Sequence, residues 1–139
     1  METKIIWPPQ VLIIAQESTD RDRLQKIFSE CGVRSFCSST LAEAHQLFFS
    51  GQALNAVFAE DRLPDGDLSA VLAAVGHFQK DVPVVALSHH ADWDSYIAVM
   101  ATGAFDCLVF PPGTLEAKRL LWSALQAFST AQHHQSVAV

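Results

Sequence analysis

Glu60 and Asp61 stand side by side where the apolar run NAVFAE gives way to a Leu63-Pro64 turn and two further acids, Asp65 and Asp67. Two other short stretches have a similar character. Gln16, Glu17, Asp20 and Asp22 follow the run QVLIIA, and Ser88, His89, His90, Asp92 and Asp94 follow VPVVAL. Carboxylates at this density repel one another unless cations or hydrogen-bond donors answer them. The pattern therefore points either to a hard divalent cation held through oxygen or to acids spread into solvent. His89 and His90 beside Asp92 and Asp94 offer a second chemistry, because imidazole with carboxylate suits zinc or manganese; the plain alternative is one ring packed and one in water.

Positioning these loops requires regular elements, and the chain supplies them in alternation. QVLIIA (10–15), VRSFCS (33–38), NAVFAE (55–60), VPVVALS (82–88) and AFDCLVF (104–110) are short apolar runs of the kind that form strands buried on both faces. Between them lie segments with helical spacing. The first carries Leu24, Ile27, Phe28 and Cys31, with Ser18 or Thr19 as N-cap; the second has Thr40 as cap and Leu41, Ala44, His45 and Phe48 on one side. DLSAVLAAVGHFQK and ADWDSYIAVMATG follow, then a last helix whose Leu115, Leu121, Leu125 and Phe128 form an apolar side. Gly32, Gly51 and Gly103 mark helix ends. Five βα units argue a parallel sheet covered on both faces, whose ligand site lies beyond the carboxyl ends of the strands. The three acidic loops all fall at that end.

Composition narrows the function classes. The 139 residues, half of them apolar, suit one domain with one core. A formal charge of −6 argues against a nucleic-acid surface, and the basic group Arg21, Arg23 and Lys26, interrupted by acids, reads as a solvated helix face. No apolar run reaches the roughly 20 residues of a membrane span. METKIIWPPQ lacks the pattern of a signal peptide, so a cytoplasmic protein is expected. Cys31, Cys37 and Cys107 read as reduced core thiols, His133 and His134 as solvated residues of a tail. No glycine-rich phosphate loop follows the first strand, and no nucleophile elbow is present.

These segments, in this order, resemble the receiver domain of two-component response regulators. The resemblance covers residues 10 to 128 and is carried by VLIIAQES, VFAEDRLPDGD, VPVVALSHH, ATGAFDCLVF and the following Pro111. It implies a flavodoxin-like three-layer α/β/α sandwich with a five-stranded parallel sheet in the order 2-1-3-4-5. The domain would occupy 10–130, with an N-terminal extension over 1–9 and a tail over 131–139.

Receivers accept a phosphoryl group from a histidine kinase on an Asp four residues before the turn proline, and that position is Glu60 here. Their Mg²⁺-binding acidic pair matches Ala15 and Gln16, their phosphoryl-binding Ser or Thr matches Ser88, and their lysine matches Phe110. The extra methylene of Glu60 displaces the carboxylate by more than about 1 Å, enough to cost about a hundredfold in a positioned reaction. Without the acidic pair and the lysine, little remains to neutralise a phosphoryl group.

The resemblance therefore implies an atypical, phosphorylation-independent receiver-like domain of a phosphorelay. It would be no enzyme and would have no resident cofactor or metal, Mg²⁺ being disfavoured, and no direct nucleic-acid or membrane partner. It would act by binding a histidine kinase, an effector or regulator domain, or a second copy of itself. Tyr96, Val99 and Met100 on the fourth helix and Trp122 on the fifth are the expected interface. Two alternatives stay open: a functional receiver that binds Mg²⁺ with Glu17 or Asp61 as rescue ligands, and a small metal-dependent hydrolase using the acidic and histidine loops.

Overall fold

The computed structural model describes the backbone of residues 8–137 and the side chains as far as residue 132. The five expected strands form: β1 Gln10–Ile14, β2 Arg34–Ser38, β3 Ala56–Glu60, β4 Val84–Ser88 and β5 Asp106–Val109. All pairings among them are parallel, and the order is β2-β1-β3-β4-β5. The helices are α1 Ser18–Glu30, α2 Leu41–Phe49, α3 Leu68–Phe78, α4 Trp93–Ala101 and α5 Thr114–Val137. A two-residue antiparallel hairpin, Arg62–Leu63 against Gly66–Asp67, sits between β3 and α3. The expected fold class is the one observed.

Alternation along the strands divides the core into two layers. Val11, Ile13, Ala56, Phe58, Val85, Leu87 and Leu108 meet Leu24, Ile27 and Phe28 of α1 and Ala117, Leu120, Leu121 and Leu125 of α5. Their neighbours Leu12, Ile14, Val57, Ala59, Val84 and Ala86 face Leu41, Ala44 and Phe48 of α2, Leu68, Val71 and Val75 of α3, and Val99 of α4. A side-chain period of two makes this division automatic. Phe28 and Phe58, both fully buried, meet with ring centroids 4.8 Å apart and tie α1 to the central strand.

Several expectations need correction. The N-cap of α1 is Glu17, with no side-chain cap, rather than Ser18 or Thr19. Leu115 is 83 % exposed, since it precedes the buried face of α5 that begins at Ala117. That helix continues to Val137, past residue 130 where a tail was expected, and the side chains of His133 and His134 lie outside the described residues, as do residues 1–7 of the expected extension. All three cysteines are free, but only Cys107 is a core thiol, its pKa pushed up to about 11 chiefly by burial. Cys31 is half-buried and Cys37, on the edge strand β2, is exposed. The three predicted helix-ending glycines hold, each at positive φ: 76° at Gly32, 80° at Gly51 and 105° at Gly103. No helix among the described residues is long and apolar enough to cross a membrane.

Asp65, at the tip of the hairpin, caps a helix remote in sequence. Its carboxylate accepts from the N–H groups of Leu41, at 2.8 Å, and Ala42, at 3.0 Å, at the start of α2. Those bonds, Leu41 first, hold its pKa below the usual carboxylate value. A depressed folded-state pKa contributes stability that is fully present above the unfolded value of about 3.9 and is lost as pH falls through the folded one. Asp65→Ala is therefore expected to lower the thermal midpoint at pH 7, and the gap from the parent should shrink as the pH falls below about 4. Thermal unfolding followed by circular dichroism across that range checks it, and a gap that does not change with pH would contradict the capping role.

Candidate functional site

Four of the five strand ends at the carboxyl edge, those of β1, β3, β4 and β5, carry residues expected at the site. β3 is buried along its whole length, and its last residue, Glu60, is only 7 % exposed. Two steps from Phe58, its side chain falls on the α1/α5 side of the sheet. There Glu60 Oε1 accepts the backbone N–H of Gln16 at 2.5 Å, and Oε2 lies 3.5 Å from Nε2 of His89. His89 Nε2 also lies 3.2 Å from Oδ2 of Asp20, on the first turn of α1. The imidazole edge meets the ring of Phe110, with centroids 5.4 Å apart. A buried carboxylate without a lysine thus borders an imidazole.

The remaining positions take other roles. Ala15 is fully buried and has no side-chain oxygen, while the Gln16 amide nitrogen donates to the carbonyl of Arg62 at 3.0 Å. Mg²⁺ needs hard oxygens in octahedral array, and Glu60 is the single carboxylate among the matched ligand positions, so these residues do not fit the ion that the resemblance implies. Ser88 is 1 % exposed, and its hydroxyl is engaged with its own loop: it accepts the His90 N–H at 3.1 Å and faces the His90 carbonyl at 3.3 Å. Phe110 is buried, and the peptide bond to Pro111 is cis.

The two rescue ligands do not join the cluster. Asp61, one residue beyond Glu60, lies on the opposite side of the sheet and lines a groove with Arg62, Asp67, Ala98, Val99 and Thr102. Glu17 is exposed at the N-cap of α1. His90 is exposed, and Asp92 caps α4 by accepting from the N–H of Ser95, which separates it from His89. The expected interface also needs revision. Val99 is 6 % exposed and belongs to the core, Tyr96 and Met100 are half-buried, and Trp122 is 38 % exposed. The apolar surface of α4 is made instead by Trp93 and Ile97, which are 69 % and 48 % exposed, with Trp93 stacked on Tyr96 at 5.5 Å.

Arg21 at the site was missed, and Asp20 was grouped only with the loop acids and not with Glu60 and His89, because both looked like part of a solvated charged face. A signal was present. Asp20 and Arg21 precede the buried Leu24 by four and three residues, which places both on the inward stripe of α1. The Arg21 guanidinium donates to the carbonyls of Ala15 at 2.6 Å and Gln16 at 2.9 Å, closing the open end of β1. Arg21→Ala is expected to lower stability by about 1–3 kcal/mol, and Arg21→Lys should recover only part of that, since both bonds come from Nη1, which stands one bond further from the backbone than a lysine Nζ. Urea denaturation measures both; full recovery by lysine would mean that charge alone matters.

No protein-family model and no curated protein matches the sequence. Solved structures do. The signal receiver domain of an HD domain-containing protein from Pseudomonas fluorescens Pf-5 superposes with a TM-score of 0.80 at 18 % identity, covering 94 % of this chain and 96 % of its own. A putative response regulator from Chloroflexus aurantiacus J-10-fl gives 0.78 at 22 % identity, over 86 % of this chain and 98 % of its own. The beryllofluoride-activated NtrC4 receiver domain dimer gives 0.77 at 21 %, over 86 % and 98 %. With five parallel strands in the order 2-1-3-4-5, helices on both faces and an acidic residue buried at the end of the central strand, the chain has the fold of response-regulator receiver domains.

Proposed function

We propose that this domain is a receiver-like signalling module of a two-component phosphorelay that works without phosphorylation, as a protein-binding element and not as an enzyme. The observation that carries this reading is the state of the acceptor position: a buried glutamate, longer than the aspartate of receivers, whose oxygens are committed to the Gln16 N–H and the His89 side. The absent acidic pair at Ala15 and Gln16, the apolar Phe110 and the inward-turned Ser88 hydroxyl support it from four further positions. A fixed negative charge stands where receivers carry a switchable one. Its partner is a kinase, effector or regulator domain whose docking depends on how the loops around Glu60 are held.

Incubation with acetyl phosphate and Mg²⁺ is expected to leave the intact mass unchanged. A stoichiometric adduct, stable in acid and labile in base, would overturn the proposal and return the chain to the ordinary receivers. Glu60→Gln, which keeps the shape and removes the charge, should alter partner binding or self-association in a pull-down or sedimentation experiment while leaving Mg²⁺ response as weak as before. An unchanged association profile would count against the fixed-charge idea.

One observation favours a second copy of the chain as a partner. Trp93 and Ile97 stand one helical turn apart on α4 and expose an apolar strip, with Tyr96 and Met100 beside it. Aromatic and Met side chains with few charges between them are characteristic of interface cores, and the NtrC4 receiver to which this chain is similar is a dimer. Sedimentation should detect self-association that Ile97→Glu removes; a parent chain that stays monomeric at high concentration would exclude the homodimer.

A further inference from the structure

We propose that Asp20, Glu60 and His89 form a binding site for one divalent transition-metal ion of the zinc type. Their ligand atoms come from three separate elements, α1, the end of β3 and the loop after β4, and lie within 4.8 Å of one another. Two ligands each bound at zinc's usual 2.0–2.2 Å stand about 3.0–3.5 Å apart, depending on whether they subtend an octahedral or a tetrahedral angle. His89 Nε2 is 3.2 Å from Asp20 Oδ2 and 3.5 Å from Glu60 Oε2, within that range on both edges.

An ion pair alone accounts for this cluster poorly. Nε2 can direct one N–H, and two carboxylates compete for it. Asp20 Oδ2 is fully buried and accepts no hydrogen bond, although the imidazole nitrogen stands 3.2 Å away. Such an atom forfeits hydration without a donor in return, which native interiors avoid. Even a protonated imidazole brings one positive charge to two negative ones. A divalent cation placed between the three atoms neutralises both carboxylates and uses the Nε2 lone pair.

The surroundings suit ligation. The Gln16 N–H fixes Glu60 through its other oxygen, and the Phe110 ring braces the imidazole, as outer partners orient ligands in metal sites. His89 is half exposed, which leaves a path for the ion and room for water to complete its shell. One imidazole with two carboxylates selects borderline ions over Mg²⁺, which keeps to oxygen. Neither Asp20 nor His89 occupies a position to which the receiver resemblance assigns a role. The site stands whether or not the domain signals without phosphorylation.

Calorimetric titration of the full chain with ZnCl₂, repeated with CoCl₂ while recording the visible spectrum, tests the assignment. One equivalent should bind, with cobalt bands of nitrogen and oxygen ligation and no thiolate charge-transfer band, and excess Mg²⁺ should not displace it. His89→Ala, Asp20→Asn and Glu60→Gln should each weaken binding by at least about tenfold, the loss that even outer partners of a metal produce. His89→Gln, with circular dichroism to verify folding, guards against a variant that is simply misfolded. Absence of saturable binding, wild-type affinity in the variants, a thiolate spectrum or equal competition by Mg²⁺ would each overturn the site.

Discussion

A carboxylate buried at the end of a central strand has to be answered by donors, and the geometry at the carboxyl edge follows from that requirement. β3 lies in the middle of the sheet with β1 and β4 on either side, so the region around Glu60 can be reached only from the ends of its neighbours and from the helix that covers them. The strand neighbours each supply something: the first residue beyond β1 and Ala15 gives its N–H and the loop after β4 gives an imidazole, against which Phe110 after β5 packs. An unpaired ion buried to this degree would cost several kcal/mol. The positions of Gln16, His89 and Phe110 are thus parts of one arrangement and not independent substitutions.

Charge balance runs in the same direction. In the receiver pattern a lysine and a metal offset three carboxylates, and removing the lysine alone would leave those acids unopposed. Here two of the acids are absent as well, as Ala15 and Gln16, so the loss on one side matches the loss on the other. What enters is Asp20 from α1 with His89 from the loop after β4. Arg21 from the same turn binds backbone carbonyls and not carboxylates, which leaves its charge near the cluster without joining it.

The fold was legible because it depends on local patterns. Fully apolar runs such as VLII, separated by helical stripes ending in glycine, leave little freedom for anything but a parallel sheet, and the helix ends at Gly32, Gly51 and Gly103 followed directly from the need for positive φ. Boundaries were less legible where hydrogen bonding beyond the run decides them. AFDCLVF contributes only Asp106–Val109 to β5, and α5 extends to Val137 because nothing in its sequence forces a stop. Individual exposures failed where a helix turns slightly. Val99 looked like surface beside Tyr96 and Met100, yet it is the residue of α4 that points into the core, while Ile97 two positions earlier faces water.

The candidate site was half legible, and the dividing line is instructive. Glu60 and Phe110 could be placed by counting from Pro64 and Pro111, and Ser88 as the last residue of VPVVALS, since strands have a fixed period and their ends a fixed address. Asp20 and His89 could not be placed by counting along one segment, because their meeting depends on the register between α1, β3 and β4. Parity and helical stripe carry part of that information. His89 shares the face of Leu87, Glu60 that of Phe58, and Asp20 the stripe of Leu24, three residues packed in one layer of the core. Apolar residues that meet in the interior therefore predict which polar residues, one step further along each element, will meet at its rim.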